Sequence, residues 1–308
     1  MSASLKITDA ASFQAYARKF ENQLLSRMYL GFPTASLATP HANVKGQLPL
    51  TEVVLGNLVQ RWNSNFNDTA NAIEFQPRIL STSLVKIDLQ IYPQEFEGSY
   101  LGQMMKPGQN PTELPFQAYV LDKVLAKKNE ECENAVWNGD EAGSPAEGDL
   151  VAAVINGFKT IAKDAATATT ITAVTTGALS DTNAVAAFEN VYQALGNSTK
   201  QSKVTIFCTR DAQAHYIRDY RTRYGASNIT SEYMQFDLGD VDWFIIPGTG
   251  DFIMMTPAMN LHYGFDAESD GTTIRFENNH RAIDMMMDFR IGVQFGILDD
   301  TMVRINDQ

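Results

Sequence analysis

The chain has 308 residues, of which 44% are hydrophobic and 19% charged, room for two ordinary domains or one large one with extensions. Its 11 prolines and 20 glycines exclude collagen-like or low-complexity composition, and no apolar run approaches the roughly 18 residues of a membrane-spanning helix, so a soluble globular chain is expected. A formal charge of −12 at pH 7 argues against a protein that grips nucleic acid by neutralising phosphates, which needs a basic face.

Met1 to Lys6 show no charged region leading into an apolar one, so no signal peptide is expected. Cys132 and Cys208 lack CxxC or Cys/His spacing, which points to two free, half-buried thiols rather than a disulfide scaffold or zinc ribbon. Charge is unevenly spread. Residues 1–87 carry eight Lys/Arg against five Asp/Glu, residues 88–150 four against twelve, and residues 151–308 twelve against nineteen. Such a basic first quarter is either chance or an arm lying on an acidic surface, in its own molecule or in a neighbour.

In chain order, Asp9 to Leu30 spaces Phe13, Tyr16, Ala17, Phe20 and Leu24 as one amphipathic helix, with Thr8 or Asp9 as N-cap. Gly31-Phe32-Pro33 ends it, and the three prolines of residues 31–49 predict an extended arm that something outside must hold. Residues 45–58 are moderately apolar, and the asparagine-rich 66–71 suits a hairpin tip with strands on both flanks. Val85, Ile87, Leu89 and Ile91 alternate with Lys86, Asp88 and Gln90, the clearest strand signal in the chain. A helical pattern then runs from Leu114 to Asn138, with Pro115 in its first turn and Asn138-Gly139 as a C-cap signal. Phe116, Val120 and Val124 make one stripe and Leu121, Leu125 and Cys132 an adjacent one.

Residues 140–181, rich in Ala, Thr and Gly, predict a surface excursion. Beyond it a helix (183–195), strand (203–208), helix (211–224) and strand (241–246) predict a small α/β unit. Strand signals return at 252–256, 273–277 and 283–295, the last with Met285, Met287, Phe289, Ile291 and Val293 at period two.

Signatures of chemistry are sparse. HExxH, GxSxG and Walker sequences are absent, and Gly248-Thr249-Gly250 is only a fragment of a dinucleotide loop. His41, His215, His262 and His280 fall on separate elements and read as structural or surface residues. Asp237, Asp240 and Asp242 form the densest carboxylate group, but Gly239 is misplaced for a calcium loop, and a solvated turn is the expectation. Glu130, Glu131 and Glu133 cannot share one helix face, which favours a solvated or subunit-facing surface over an acid/base pair. Met285 to Met287 reads as adaptable packing. Tyr216, Tyr220 and Tyr224 among Arg218, Arg221 and Arg223 come nearest to a base-stacking platform, yet the tyrosines share one face, expected to pack.

Several phrases together with the order of elements resemble the major capsid proteins of tailed bacteriophages. They are Pro77-Arg78-Ile79-Leu80, Val85 to Pro93, Gly98-Ser99-Tyr100-Leu101, Leu114 to Leu121, Glu133 to Asp140, Thr256 to Asp266, and Arg290-Ile291-Gly292-Val293-Gln294-Phe295. The resemblance implies an α+β, Hong Kong 97-type capsid fold. Its parts would be an N-terminal helix and arm at 1–42, an extended loop at 43–95, a spine helix and first part of the peripheral domain at 96–149, an axial α/β domain at 150–250, and peripheral return strands at 251–308. It implies a self-assembling, non-enzymatic shell subunit of the virion, forming pentamers and hexamers around double-stranded DNA and assembled in the host cytoplasm. Catalytic residues, cofactors, metals and membrane are not implied; portal, scaffolding and decoration proteins are the further partners. With only about thirty residues before the arm, a separate scaffold or unaided assembly is implied, and no position matches the lysine–asparagine crosslink that some members carry.

The expected intersubunit contacts set Lys45, Arg61, Arg78 or Lys86 against Glu130, Glu131 and Glu133 of a neighbour. An encapsulin-type compartment shell shares this fold and encloses protein cargo. A small α/β enzyme using the Asp237–Asp242 carboxylates is the alternative from another class.

Overall fold

The computed structural model describes residues 10–55, 59–65, 73–92, 116–141, 148–225, 241–266, 274–280 and 282–308. Three sheets organise them. The main sheet has the strand order β1 (Thr39–His41), β8 (Leu261–Phe265), β10 (Ala282–Phe295), β4 (Ser83–Ile91), with β9 (Ile274–Asn279) also paired to β10. Long β10 organises it: residues 283–291 pair antiparallel with β4, 282–287 with β9, and 291–295 with β8. Its period-two pattern is met, since Met285, Met287, Phe289, Ile291 and Val293 are all buried.

A second sheet has the order β11 (Arg304–Ile305), β7 (Ile253–Thr256), β5 (Val204–Thr209), β6 (Val241–Ile246), with β5 and β6 parallel. All six residues of β5 are buried because both its faces are covered. Val204, Ile206 and Cys208 pack with two flanking helices, Ala184–Ala194 and Arg210–Tyr224, whereas Phe207 joins the main core. The α/β unit is therefore present as read, and Thr209 caps the second of those helices through the Ala212 amide at 3.3 Å. The C-terminal stretch, expected wholly as return strands, divides: β8, β9 and β10 lie in the main sheet, but β7 and β11 complete the second.

The N-terminal helix is two helices, α1 (Ala10–Lys19) and α2 (Glu21–Leu30), which part at Phe20, where φ is −113° and ψ 20°. The break lets each segment reach a different strand: Phe13 packs on Phe276 of β9 at 5.2 Å, and Tyr29 stacks on Phe265 of β8 at 5.0 Å. Both capping candidates lie outside the described residues.

The expectation that the extended arm of residues 31–49 needs an outside support is overturned for 31–44, and from Gln47 the chain is hairpin strand. Pro33 opens a short helix, α3 (Pro33–Leu37), at the one position where its missing N–H costs nothing. Phe32 meets Tyr263 edge-on at 5.3 Å, Ala35 and Ala38 are buried, and β1 runs parallel to β8. Val44 closes the segment by donating its amide to the Phe265 carbonyl at 3.1 Å.

Helix α4 (Phe116–Asn138) matches the expected helix, and Val120, Leu121, Leu125 and Cys132 are buried as its stripes require. Gly139 does not act through a left-handed backbone. A Cβ there would stand 2.4 Å from the Ile155 carbonyl oxygen, and one on Gly157 2.5 Å from that of Trp137. The two glycines let the chains touch, the Gly157 amide donating to the Gly139 carbonyl at 2.9 Å. Gly157 starts α5 (Phe158–Thr167), so the expected surface excursion, exposed at 148–150 and 167–170, also gives the core a helix. Phe158 and Ala162 are fully buried, and Phe158 lies 5.3 Å from Trp137 and 5.2 Å from Phe295. Trp137 also meets Phe207 at 5.1 Å, so the end of α4 joins both sheets into one core.

Candidate functional site

The third sheet is a hairpin of β2 (Gln47–Leu55) and β3 (Ile73–Ser81), paired residue for residue from Gln47–Ser81 to Leu55–Ile73. Nine residues at about 3.3 Å each extend roughly 30 Å, and a lone two-stranded ribbon is marginal in water. Among the described residues its root is tied to the body. The Thr82 amide donates to Gly46 at 2.7 Å, its hydroxyl to Val44 at 2.9 Å, and the Gln294 amide to Ile79 at 3.2 Å. At this crossing β3 runs against β10 so closely that a Cβ on Gly292 would stand 2.0 Å from the Ser81 carbonyl oxygen. In the connecting loop all described residues, 59–65, are exposed; Val59 is 97% and Trp62 86% accessible. The expected tip, 66–71, lies outside the described residues.

Three of the four basic residues singled out from the sequence belong to this hairpin or its root. Lys45 is exposed at the root and Arg61 in the loop. Arg78 is half-buried in β3, where desolvation lowers its pKa and its Nε has no hydrogen-bond partner among the described residues. Lys86 is on β4 and pairs with Asp88 at 2.9 Å. Of the acids, Glu130 and Glu131 are exposed on α4 beside Lys127, at 3.2 and 3.9 Å, surface pairs worth at most a few tenths of a kcal/mol each. Glu133 differs: it accepts from the Thr34 amide at 3.1 Å and hydroxyl at 2.6 Å, and the Trp137 indole donates to that hydroxyl at 2.6 Å. Burial raises the Glu133 pKa, opposed by these hydrogen bonds. The carboxylate that the sequence groups with its neighbours therefore clasps α3 within its own chain.

Between β4, α4 and residues 148–154 lies a cleft of about 550 Å³. Leu84, Val85, Ile87, Leu150, Val151 and Phe289 give it apolar walls, and Asp88, Glu131, Asp149 and Asp288 an acidic margin. Leu84 and Leu150 are 59% and 75% exposed. Lys128, also lining it, is buried; its ammonium donates to the Met28 carbonyl and lies 4.7 Å from the centre of the Phe289 ring. Desolvation lowers the Lys128 pKa, with neighbouring Cys132 acting the other way. Sequence reasoning missed Lys128, although it falls between Leu125 and Cys132 at helical spacing, and a lysine inside an apolar stripe was the available signal.

Two of the four histidines meet. His41 Nε2 and His262 Nδ1 lie 2.8 Å apart across the β1–β8 pair. Burial lowers both pKa values, and the charge of His41 lowers that of His262 further. His215 pairs with Asp181 at 2.7 Å. Asp242 is bound to Lys203 at 2.8 Å, while Asp237 and Asp240 lie outside the described residues. The tyrosine face packs at its start, where Tyr216 is buried 5.1 Å from Phe188, and is exposed by Tyr224. Among the described residues no three His, Cys, Asp or Glu side chains converge as metal ligands. What the geometry offers is a projecting, partly basic hairpin and an acidic-rimmed apolar cleft.

No family model and no curated protein matches the chain. Solved structures do. A chain of the satellite phage P4 procapsid that includes the size determination (Sid) protein matches with a TM-score of 0.58 over 96% of this chain and 95% of that one, at 13% identity. A chain of the capsid of the empty GTA particle matches at 0.52 over 91% and 89%, with 14% identity. One from Mycobacterium phage Adephagia matches at 0.53 over 89% and 88%, with 11% identity. Over about nine-tenths of its length the chain therefore has the mixed helix-and-strand fold of these phage and GTA particle chains.

Proposed function

We propose that this chain is the structural subunit of an icosahedral phage capsid, self-assembling into pentamers and hexamers that form the shell around a double-stranded DNA genome. The supporting observation is coverage in both directions, 96% and 95%, against a procapsid chain. A likeness of that extent spans the chain rather than one shared module. In this reading the β2–β3 hairpin is the extended loop, α4 the spine helix, the second sheet with its helices the core of the axial domain, and the main sheet the peripheral domain. The subunit is no enzyme; it works in the virion after assembly in the host cytoplasm, with portal, scaffolding and decoration proteins as partners.

A shell that encloses DNA without gripping it has no need of a basic surface, which agrees with the charge of −12. Lys45, Arg61, Arg78 and Lys86 would register neighbours against acids such as Glu130 and Glu131. Light scattering with negative-stain imaging of the purified chain tests the reading. Closed shells or rings of five or six subunits are expected, and Lys45→Glu with Arg78→Glu should lower their yield at low salt. Shells filled with protein cargo would identify a compartment instead. A chain that stays monomeric even beside co-expressed phage assembly proteins would overturn the proposal.

A further inference from the structure

We infer that the outer edge of β4 is an interface between copies of this chain: two β4 strands pair antiparallel about a two-fold axis through Ile87 and join two main sheets into one. The inference deepens the self-assembly reading, from which it takes only that copies meet. In the order of the main sheet β4 stands last, and among the described residues β10 is its only strand partner. That pairing is continuous from Ser83–Ile291 to Ile91–Ile283, with no bulge to bend β4 away, and no proline or glycine interrupts the strand. Alternate residues therefore turn their N–H and C=O groups outward in a row, the arrangement that templates a further strand. The cleft opens along this row. Every residue from Leu84 to Asp88 lines it, so it takes in both faces of the strand rather than one.

Charge selects the occupant. Lys86 and Asp88 stand two residues apart on the exposed face of β4 and hold each other at 2.9 Å, so the pair presents no net charge to repel a copy of itself. Edge strands that stay unpaired commonly carry uncompensated lysine or an inward-pointing charge instead. With the axis at Ile87, each Lys86 lies opposite the Asp88 of the second copy, and the four charges alternate in sign around a square. Moving the axis by one residue, to Lys86 or to Asp88, would set like charges opposite each other, so the same two side chains also fix the register. On the other face Val85 meets the second copy's Leu89, and Ile87 meets its counterpart. Val85 and Ile87 are half-buried, Leu89 is 38% accessible, and Leu150 on the far wall of the cleft is 75% accessible. A strand laid along the edge covers all four.

Disulfide trapping reads the register. In chains carrying Cys132→Ala, which removes the thiol beside the cleft, Ile87→Cys should link two copies on mild oxidation, because opposed residues stand about 4.5–5.5 Å apart at Cβ. Leu84→Cys should not, since its counterpart lies roughly 20 Å along the strand. The charges give a second readout that leaves the native thiols in place. Lys86→Glu and Asp88→Lys each set like charges opposite across the axis, so each alone should weaken association about tenfold at low salt. An equimolar mixture of the two variants should recover it, because every charge in a mixed pair faces its opposite. Loss of the Lys86–Asp88 contact within each chain cannot produce that rescue, since mixing does not restore it. Particles without a link at position 87, or single variants that mixing does not rescue, would overturn the contact and leave the shell reading standing. Linked pairs that form no particles in any condition would keep the contact and remove the shell.

Discussion

Gly292→Ala tests whether the hairpin is fixed to the body by a backbone crossing. The added methyl would lie 2.0 Å from the Ser81 carbonyl oxygen, 2.9 Å from its carbon and 3.0 Å from Thr82 Cα, and all three atoms are backbone. No rotamer change relieves such a clash. Either β10 or the β3–β4 junction must move, although β10 is held by β4 and β8 on its two sides at this point. Overpacking of this kind costs about 1–3 kcal/mol, and the rigid neighbour places this case at the upper end. For a chain of this size that lowers the melting temperature by roughly 5 °C. Gly296→Ala is the comparison: its methyl meets side-chain atoms only, His262 Nε2 at 2.6 Å and Asn260 Oδ1 at 3.2 Å, so its loss should be the smaller of the two even though turning the ring gives up the contact with His41. Urea denaturation of the unassembled variants, followed by particle yield, reads both. Because the crossing aims the hairpin, Gly292→Ala should reduce assembly more than its stability loss alone explains. A variant within about 0.5 kcal/mol of wild type that also assembles normally would show that β3 does not cross β10 as described.

Four further outcomes follow from the same geometry. Phe158→Ala should cost about 3–5 kcal/mol in urea denaturation, as a core cavity does, whereas a loss under 1 kcal/mol would return this segment to the surface. Lys128→Met should be neutral or stabilising by about 1–4 kcal/mol, because it removes a buried ammonium while keeping its volume; a loss above about 2 kcal/mol would mean that the ties to Met28 and Phe289 outweigh burial. The Glu133 pKa is raised in the folded state, so its contribution is fully present below the unfolded value near 4.5 and is lost as pH rises through the folded one. Wild type should therefore gain on Glu133→Gln as pH falls from 7 toward 4, and a gap that moves the other way would show the hydrogen bonds from Thr34 outweighing burial. The His41–His262 pair has the opposite sign: both folded values are lowered from 6.5, so its stability is present above that pH and lost as pH falls through the folded values. Amide protection factors in β1 should fall on acidification in wild type and less so in His262→Gln, and equal profiles would refute the coupling.

The elements most legible in the sequence are those whose burial pattern has a single period. In β4 and β10 the apolar residues alternate cleanly, and α4 carries unbroken stripes over 23 residues, so their positions could be read within a few residues. Residues 158–167 hid because their buried face is built from Ala162 and Ala165 beside one large residue, Phe158, and alanine gives almost no periodic signal. The 31–44 segment hid for another reason. Its order comes from contacts more than ninety residues away, Thr34 with Glu133 and His41 with His262, which no local window contains. The assignment of β7 and β11 to the second sheet is equally non-local, since it is fixed by the pairing of Ile253 to Thr256 with Cys208 to Thr205 and of Ile305 and Arg304 with Met254 and Met255.

Placing the 31–44 segment on its own body changes what holds the candidate assembly surface together. The sequence suggested two projections, an arm and a hairpin, both waiting for neighbours. With α3 clasped by Glu133 and β1 paired to β8, the hairpin is the projection that remains among the described residues, and Val44, the last buried residue of that segment, accepts the hydroxyl of Thr82 at the hairpin's root. The clasp and the hairpin thus meet at one point. A substitution that loosens α3 or β1 should also loosen the hairpin's root without touching its strands, because Val44 and Gly46 are the acceptors that Thr82 uses. The same half-buried carboxylate and histidine pair that hold the 31–44 segment on its own chain therefore support the hairpin's root, and in the proposed shell the contacts between copies would depend on residues that need touch no neighbour.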